Sequence, residues 1–432
     1  MRNEVIYDKN GRPDIMVVFT PSELGLPDTL RGRKVKEYAI SKYPNTLIDG
    51  VPYSLPFMKP AVNISHDEAI RLCESKGEGW HLITNDEWVA LSFWSWDNDT
   101  MPTGNTASGK SHSHPEQTGT TYEGGCGKTL TGSGPVQWNH DGTAYGVADM
   151  CGNIWEHVGG VRFMNGMPQV IPNNGAAYGS DQSKDSPEWE AIYTEDGDPV
   201  YYNVHDGEIT LQPVHPDGTD YDGVKFTDLE VRSDMDAPDK LKKLGLYPAD
   251  DYESDEYFWL DSNGERVIYR GGGWNRGASA GVVCLSGDSS RSNANTNIGF
   301  RAALALFVYF LRAKAQQKHQ GKRDAFPGRQ GQRYTLVLLC RWRPPGTPSK
   351  PRRLAVVCYA GRRGIRILRR GGRRGKISPR NVTTRAIIMT TQGGTRTWIQ
   401  ETSPPFWREY TRGRIFWTHT TRQQARSGTA TT

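Results

Sequence analysis

The cysteines and histidines are the residues with the widest choice of chemistry, and their spacing argues against a reactive or metal-binding cluster. The six cysteines are scattered along the chain: Cys73, Cys126, Cys151, Cys284, Cys340 and Cys358. None forms a CxxC pair, and a disulfide framework is not expected in so long a chain with such spacing. His112 and His114 lie in a Ser/Thr-rich loop without a third ligand, so we interpret them as surface residues.

Two capping boxes predict the helices that would support a site. In residues 65–68 (Ser-His-Asp-Glu), the serine hydroxyl can accept from the glutamate amide while the glutamate reaches back. This predicts a helix over 65–76. Residues 84–87 (Thr-Asn-Asp-Glu) repeat the pattern and predict a second helix over 86–94. The five residues 79–83 between them are expected to form a short strand.

Local patterns further along the chain predict strands and turns. The Asn165-Gly166 dipeptide favours a two-residue hairpin turn within Val161–Ile171. Val267–Tyr269 and Gly299–Leu304 are predicted to be closing strands, which we expect to find in one small antiparallel sheet. The chain is therefore expected to be an α+β protein with two helices, a small antiparallel sheet and long irregular loops.

Charge divides the chain near residue 312. Residues 312–432 hold 28 Lys or Arg and three acids, a net charge of +25, whereas residues 1–311 have a net charge of −20. We predict an N-terminal segment over 1–39, a domain over 40–311 and a basic tail over 312–432. Residues 178–257 are acidic and turn-rich, and we interpret them as a surface insertion with a short helix near 238–244.

The basic tail has three interpretations. Its cations could neutralise phosphates of a nucleic acid, the tail could be disordered, or it could arise from translation past the natural stop into unselected sequence. We favour the last two, because the tail has sparse aromatic residues, no nucleic-acid-binding motif, and Gly/Arg clusters such as Gly361–Lys376. Nucleic-acid binding is expected only through this tail.

No membrane span or secretory signal is expected. The N-terminus is too polar for a signal peptide. The longest apolar run, Ala302–Leu311, has about half of the ~20 residues that a spanning helix needs. These observations suggest a cytoplasmic or virion-associated protein. Another factor could also display the protein on a surface.

A series of motifs gives a family resemblance. Five occur in order: Gly79–Trp88 (GWHLITNDEW), Gly132–Val136 (GSGPV), Gly146–Glu156 (GVADMCGNIWE), Arg270–Trp274 (RGGGW) and Ile298–Arg301 (IGFR). Together they resemble the formylglycine-generating-enzyme (sulfatase-modifying factor) branch of the C-type lectin fold. Three more segments complete the series: Asn139–Thr143 (NHDGT), Val170–Asn174 (VIPNN) and Arg291–Arg301 (RSNANTNIGFR). These are similar to the variable target proteins of diversity-generating retroelements.

The resemblance covers residues 40–304 and implies a C-type-lectin-like domain that binds a ligand without catalysis. Trp88, Trp155 and Trp274 are expected in the core. Arg270 and Arg301 are expected to hold carboxylates or loop carbonyls, because one guanidinium can fix several acceptors. The ligand class that this implies is a protein or a glycan, with a host-cell receptor among the candidates.

A formylglycine-generating or related oxidase is the alternative function. The enzymes of that branch rely on a redox-active, copper-binding cysteine pair before their GFR motif. In this chain Cys284 lies in that stretch without a partner nearby in sequence, and Ala302 follows the GFR motif where a second cysteine is often seen. A second cysteine close to Cys284 in space would favour the oxidase.

The enzyme branch also implies a cation site around the GNxWE motif. Carried onto this chain, its ligands are Asp149, Gly152, Ile154 and Glu156. Two carboxylates with two backbone carbonyls suit a hard, oxygen-seeking ion such as Ca²⁺. The alternative is that Asp149 and Glu156 pair with arginines or cap loops, and the sequence leaves both possibilities open.

The resemblance implies a variable, ligand-facing segment over residues 269–304. In that family, unfaithful copying of template adenines scatters Asn-type codons to many residues while scaffold codons persist. The scaffold positions are Arg270, Gly271, Gly272, Trp274, Gly277, Ala280, Gly281 and Arg291. The predicted ligand-binding positions between them are Gly273, Arg276, Ser279, Val283, Cys284, Ser286, Gly287, Asp288 and Ser289.

The predicted ligand-binding positions mix charge, size and polarity without a core periodicity, which a binding face tolerates and a packed face does not. We therefore expect seven of them to be exposed on one surface: Arg276, Ser279, Val283, Cys284, Ser286, Asp288 and Ser289. Trp274, Ile298 and Phe300 are expected to be buried. The unchanged Asn293, Asn295 and Asn297 leave the end of the variable segment open, and an ordinary polar loop is the alternative.

Overall fold

The computed structural model describes residues 1–216 and 220–308 in full, and seven strands of the remaining chain by their backbone. The chain forms two compact units, Met1–Ala315 and Gln316–Thr432. The strands of the first unit are β1 (Arg2–Tyr7), β2 (Pro13–Phe19), β3 (Thr29–Leu30), β4 (Arg33–Ser41), β5 (Thr46–Ile48), β6 (Val51–Tyr53), β7 (Trp80–Leu82), β8 (Trp155–Met164), β9 (Met167–Val170), β10 (Glu190–Ala191), β11 (Tyr201–His205), β12 (Glu208–Gln212), β13 (Tyr221–Lys225), β14 (Glu230–Val231), β15 (Tyr257–Asp261), β16 (Glu265–Arg270), β17 (Leu285–Ser289), β18 (Ile298–Phe300) and β19 (Ala302–Phe307). Its α-helices are α1 (His66–Glu74), α2 (Asn85–Asp97) and α3 (Asp239–Lys243).

Both helices predicted from capping boxes are present. Thr84 accepts from the Glu87 amide at 3.1 Å, and the Glu87 carboxylate accepts from the Thr84 amide at 3.1 Å, so α2 begins with a reciprocal box. Ser65 accepts from the Glu68 amide at 3.3 Å at the start of α1. The predicted strand between the helices is β7, and the short helix predicted near 238–244 is α3.

Six antiparallel strands form the first sheet, in the order β1-β2-β4-β19-β7 with β3 beside β4. The N-terminal residues are thus part of this sheet, with β1, β2 and β4 on one side of β19. Met16, Val18, Leu82 and Leu304 are buried together on it. β19 lies between β4 and β7, so the apolar run after residue 301 forms a central strand with neighbours on both sides.

The second sheet has eight strands, in the order β10-β9-β8-β16-β17-β15-β13, with β18 beside β8. Most pairs are antiparallel, but β15 pairs with β17 and β18 with β8 in parallel. The β8–β9 hairpin turns at Asn165-Gly166, as predicted, with φ of +50° and +75° at these two residues. The expectation of one small sheet was wrong, because Val267–Tyr269 belongs to this sheet and Ala302–Leu304 to the first.

Residues 178–257 are not a surface insertion, and that interpretation was wrong. β11, β12 and β14 form a three-stranded sheet whose alternate apolar residues point inward. Tyr202, Phe226 and Leu241 are among the residues that this stretch adds to the main core. The hydroxyl of Tyr202 donates to the carbonyl of Leu246 at 2.6 Å, which further ties the stretch together. Its acidic residues lie between buried ones and hide the pattern in the sequence.

The second unit is described only by the backbone of its strands. These are β20 (Thr335–Trp342), β21 (Arg352–Gly361), β22 (Gly364–Arg369), β23 (Ile387–Thr391), β24 (Gly394–Gln400), β25 (Trp407–Thr411) and β26 (Arg414–Phe416). They pair in chain order as two antiparallel sheets, one of three strands and one of four. The sequence analysis did not predict these strands. Its prediction of a disordered tail otherwise falls on residues outside the described part and stays a prediction.

In the part of the chain that the structure describes, no helix combines the length and the apolar character that crossing a membrane requires.

Candidate ligand-binding surface

A small pocket of about 120 Å³ opens beside the segment predicted to be variable, and we call it the cup. Its floor is formed by Trp155, Trp259, Tyr269 and Ile298. Its rim is polar: Arg276, Ser286, Asp288, Ser289, Asn293, Asn295 and Asn297. Four of these rim residues were predicted to bind a ligand, namely Arg276, Ser286, Asp288 and Ser289.

Three strands of the eight-stranded sheet supply the aromatic floor. Trp155 begins β8, Trp259 lies in the middle of β15, and Tyr269 lies near the end of β16. The two indoles meet edge to face, with ring centroids 5.5 Å apart and planes at 79°, an arrangement that aromatic pairs favour. Tyr269 in turn packs against the buried His157, at 4.7 Å between centroids. The floor is therefore fixed by core packing.

Arg276 lies over this floor. The central carbon of its guanidinium is 5.1 Å from the Trp259 ring centroid and 5.8 Å from that of Trp155, within cation–π range. Arg276 is exposed, and its guanidinium has no hydrogen bond or ion pair with another residue that the structure describes. The two indoles are its only contacts of this kind in that part of the chain.

Hydrogen bonds order the rest of the rim. One Asp288 carboxylate oxygen accepts from the hydroxyls of Ser286 at 2.6 Å and Ser289 at 2.8 Å. The Asn293 amide donates to the Ser289 hydroxyl at 2.9 Å and to the Tyr269 hydroxyl at 3.3 Å. Burial raises the pKa of Tyr269, so its hydroxyl is neutral near pH 7. These hydrogen bonds join the rim to the floor, and they hold the donors and acceptors of the rim in fixed positions.

Buried side chains from outside this stretch hold its backbone. One carboxylate oxygen of Glu256 accepts the amide N–H groups of Val283 at 2.7 Å and Cys284 at 2.6 Å. The indole N–H of Trp88 donates to the Val282 carbonyl at 2.7 Å, and Arg270 donates to the Val283 carbonyl at 2.8 Å. All four bonds end on main-chain atoms, so they do not depend on which side chains residues 282–284 carry.

Arg270 and Arg301 act as predicted. Both are completely buried. Arg270 donates to Asn85 at 2.7 Å and to the Leu244 carbonyl at 3.0 Å, which joins α2 to the end of α3. Arg301 donates to Glu156 and to the Ala148 carbonyl.

The predicted exposure of the variable positions is only partly right. Arg276 is exposed, and Ser279, Asp288 and Ser289 are partly exposed. The predicted exposure of three positions was wrong: Val283, Cys284 and Ser286 are at most 4% exposed. Ser286 lies in β17, which pairs with β15 on one side and β16 on the other, whereas Val283 and Cys284 precede β17 and pack within the hydrophobic core. Ligand binding by the nine positions stays a prediction.

Gly273 and Gly287, two of the predicted ligand-binding positions, differ in the space that is available for a side chain. A Cβ added at Gly287 would lie 2.8 Å from the ring of Phe163, closer than real Cβ contacts come. A Cβ at Gly273 would meet Trp155 at 3.5 Å, an ordinary contact. Gly287 is therefore fixed by packing against β8, whereas Gly273 has space for a side chain.

Of the three residues predicted to be buried, Ile298 and Phe300 are buried, at 5% and 0% exposure. The prediction was wrong for Trp274, which is partly exposed. Its indole lies against the loop at Gly127 and within 5.9 Å of the Lys128 ammonium. Trp274 therefore covers a neighbouring loop at the surface.

The sequence analysis missed several residues of the cup. Trp155 was assigned to the core alone, and Trp259 was not considered. Asn293, Asn295 and Asn297 were treated as the doubtful end of the variable segment, yet all three line the rim. The signal that could have found them is the clustering of three asparagines directly after the predicted ligand-binding positions.

The predicted cation ligands are engaged with the protein itself. Arg301 donates to both oxygens of Glu156, at 2.7 and 2.5 Å, and Asp149 accepts the Gly132 amide at 2.6 Å. Burial raises the pKa of Asp149 to about 6. The described residues contain no cluster of three or more carboxylate, histidine or cysteine side chains suited to a metal ion. These contacts match the alternative from the sequence, a pair with arginine and a loop cap, and Ca²⁺ binding at these residues stays a prediction.

Cys284 does have a cysteine neighbour in space. Cys151 is near enough to contribute to the pKa of Cys284, a proximity that the sequence did not predict. Both are free thiols and buried, at 5% exposure for Cys151 and 0% for Cys284. Burial raises the pKa of both groups, so both thiols are neutral near pH 7. A thiol needs its thiolate form and access to a partner to react, and this pair lacks both.

Residues 31–184 match the family described as sulfatase-modifying factor enzyme 1-like domain. The match covers about a third of the chain and is a similarity to that family. This stretch contains α1, α2 and β8, and β8 carries Trp155 of the floor of the cup. The α+β, C-type-lectin-like fold that the motifs implied is confirmed. No curated protein matches the chain in sequence.

Three solved structures are similar to the chain, and all three are variants of a Major Tropism Determinant. The I1 variant is 15% identical, with 68% of this chain and 56% of that chain covered and a TM-score of 0.27. The U1 variant is 15% identical, with 71% of this chain and 46% of that chain covered and a TM-score of 0.24. The P3c variant is 15% identical, with 71% of this chain and 62% of that chain covered and a TM-score of 0.26. The chain thus spans about half the length of the solved structures that it matches.

Proposed function

We propose that this protein binds a ligand without catalysis, that the ligand contacts the cup, and that a diversity-generating retroelement rewrites the exposed residues of the rim. The observation that carries the proposal is the way the segment is held. Glu256, Trp88 and Arg270 fix residues 282–284 through main-chain atoms only. The rim side chains can therefore change while the backbone that presents them stays in place.

An energetic argument selects the positions that diversification can use. A large-to-small change at a buried position typically costs ~1–5 kcal/mol, a large share of a total stability of ~5–15 kcal/mol. Changes at exposed positions usually stay within ~0.5 kcal/mol. Arg276, Ser279, Asp288 and Ser289 meet this condition, whereas Val283, Cys284 and Ser286 do not. The proposal therefore places the variable contacts in the first four.

The oxidase alternative is disfavoured by the state of its cysteines. Cys284 is enclosed, and its thiol is neutral because burial raises its pKa. The rim of the cup carries hydroxyl, amide, carboxylate and guanidinium groups and no thiol. Such a surface holds a ligand by shape and hydrogen bonds.

The proposed ligand is a protein or glycan on the surface of a host cell, and the proposed location is on a virion. Support comes from the polar rim over an aromatic floor, which offers hydrogen bonds and apolar contact at one place. The rim is the part of this surface that exchange of side chains would alter.

The proposal can be tested without knowing the ligand. Codons 276, 279, 288 and 289 are randomised in a display library, which is selected on immobilised lysozyme. We expect binders to be enriched within a few rounds, because Arg276, Asp288 and Ser289 line the cup and all four positions are exposed or partly exposed. A control library randomised at Glu68, Arg71, Glu74 and Ser75 of α1 should give none. Equal enrichment from both libraries, or none from the first, would contradict the proposal.

The retroelement itself is tested by the flanking DNA. A reverse-transcriptase gene should lie near this gene, together with a near-copy of codons 269–304 that differs only at adenines. A complete flanking sequence without either feature would remove the diversification from the proposal and leave a fixed binding surface.

A further inference from the structure

The cup is an electron-rich environment. Two indole rings form its floor, and their faces attract cations. Asp288 is the one carboxylate among the residues that line the cup, and Asn293, Asn295 and Asn297 add amide oxygens. The lining of the cup therefore favours a positively charged group at this place.

The chain itself supplies that group in the form of Arg276. Its guanidinium lies over both indoles, 5.1 Å from one ring centroid and 5.8 Å from the other. It has no hydrogen bond or ion pair with any residue that the structure describes, so these two contacts and not a polar network hold it. An exposed arginine held in this way can leave its position and be replaced by a similar group.

The position of Arg276 in the sequence determines what its replacement would do to the cup. Arg276 precedes a single turn of 3-10 helix, Gly277–Ser279, at an exposed corner of the segment predicted to be variable. The floor residues belong to strands of the sheet and the occupant belongs to the exchangeable surface. Replacing residue 276 would therefore leave the floor in place and remove what covers it.

We propose that the cup is a binding site for a guanidinium or ammonium group, and that Arg276 occupies it in this chain. Residue 276 then decides whether the cup is closed or open to a lysine or arginine side chain of a protein partner. This inference rests on the proposed function, because it assigns a ligand chemistry to the same surface.

The test is a chemical rescue with ethylguanidinium chloride as the probe. Isothermal titration calorimetry is carried out at constant ionic strength on the full-length protein and on Arg276→Ala. We expect saturable binding to R276A and binding at least about tenfold weaker to the parent protein, because Arg276 competes for the site. R276K should behave like the parent, since lysine also fills the cup. Arg71→Ala removes an exposed arginine on α1 and should bind the probe as weakly as the parent.

Ethylurea is the neutral comparison, because it has a similar shape without the charge. Equal binding of ethylurea and ethylguanidinium to R276A would overturn the proposal and indicate a site for neutral polar ligands such as sugars. Equal binding of ethylguanidinium to the parent and R276A would show that Arg276 is not the occupant. No binding to an R276A that melts like the parent would also overturn it. The result of the library selection does not depend on any of these outcomes, so the selection tests the proposed function separately.

Discussion

The guanidinium of Arg301 donates to both carboxylate oxygens of Glu156, and neither side chain is exposed to solvent. Arg301 lies between β18 of the eight-stranded sheet and β19 of the six-stranded sheet, whereas Glu156 lies on β8. The pair therefore holds the chain at the point where it passes from one sheet to the other. Burial raises the pKa of Glu156, and the charge of Arg301 opposes that shift.

Glu156→Gln should destabilise the domain strongly. Removing one partner of a buried ion pair leaves the other charge uncompensated, which costs ~3–5 kcal/mol. The measurement is urea unfolding followed by circular dichroism. Glu68→Gln breaks an exposed pair with Arg71 on α1 and should stay within ~0.5 kcal/mol. A loss below ~1 kcal/mol in E156Q would show that the pair does not hold the two sheets.

The same pair predicts the response to calcium. Both oxygens of Glu156 are bound by Arg301, and Asp149 accepts a backbone amide, so the implied ligand set has no free pair of carboxylates. We expect no heat of binding when Ca²⁺ is titrated in, and the same melting temperature in Ca²⁺ and in chelator. A ligand that binds only the folded state would raise that temperature. A reproducible rise in Ca²⁺ would restore the cation site.

Features encoded by a few neighbouring residues could be predicted from the sequence. Thr84 and Glu87 are three residues apart and fix the start of α2 by themselves. Asn165 and Gly166 select the turn between β8 and β9 through their own backbone preferences. Each of these signals lies within four consecutive residues, so the helix start and the turn can be predicted without knowing the rest of the fold.

The cup could not be predicted in this way, because its parts are far apart in the chain. Trp155, Trp259 and Tyr269 meet only after the four strands β8, β16, β17 and β15 have paired. The burial of Ser286 and Gly287 likewise depends on the parallel pairing of β15 with β17, and a polar Ser-Gly-Asp-Ser stretch resembles a loop until that pairing is known. Long-range strand pairing therefore decided both the floor of the cup and the limits of its variable rim.

The buried Glu256 predicts a pH dependence of stability. Burial raises its pKa to about 7 in the folded state, above the ordinary value of a glutamate, so the folded protein binds the proton more tightly than the unfolded chain. Stability should then fall as pH rises from about 4.5 to about 7, by roughly 3 kcal/mol from this group. Glu256→Gln keeps an acceptor for the amides of Val283 and Cys284 and removes the titration.

The comparison with E256Q is needed because His140 and His157 act in the opposite direction. Burial lowers their pKa values to about 4 and about 3, so they destabilise the folded state as pH falls below their ordinary values. Both histidines are present in the parent and in E256Q, and their effect cancels in the difference. Between pH 5 and pH 8 the parent should lose stability relative to E256Q. A constant difference would mean that Glu256 does not titrate in this range.

Alkylation should separate the cysteines of the first unit by burial. Cys126 is exposed, whereas Cys73, Cys151 and Cys284 are buried and burial raises their pKa values. Iodoacetamide reacts with thiolates, so Cys126 should be modified about 100-fold faster than the other three. Mass spectrometry of peptides from a time course measures each site. Modification of Cys284 as fast as Cys126 would revive the oxidase alternative.

The last prediction separates the exposed or partly exposed positions of the variable segment from its buried positions by changing both sets to asparagine. The first variant carries R276N, S279N, D288N and S289N, all at exposed or partly exposed positions. The second carries V283N, C284N and S286N, all at most 4% exposed. The first should shift the melting temperature by less than about 3 °C, because surface changes cost little. The second should lower it by more than about 10 °C or prevent folding, because each buried amide without partners costs ~1–3 kcal/mol. Similar losses in both variants would show that the rim is part of the core and that residues 276–289 cannot serve as an exchangeable binding surface.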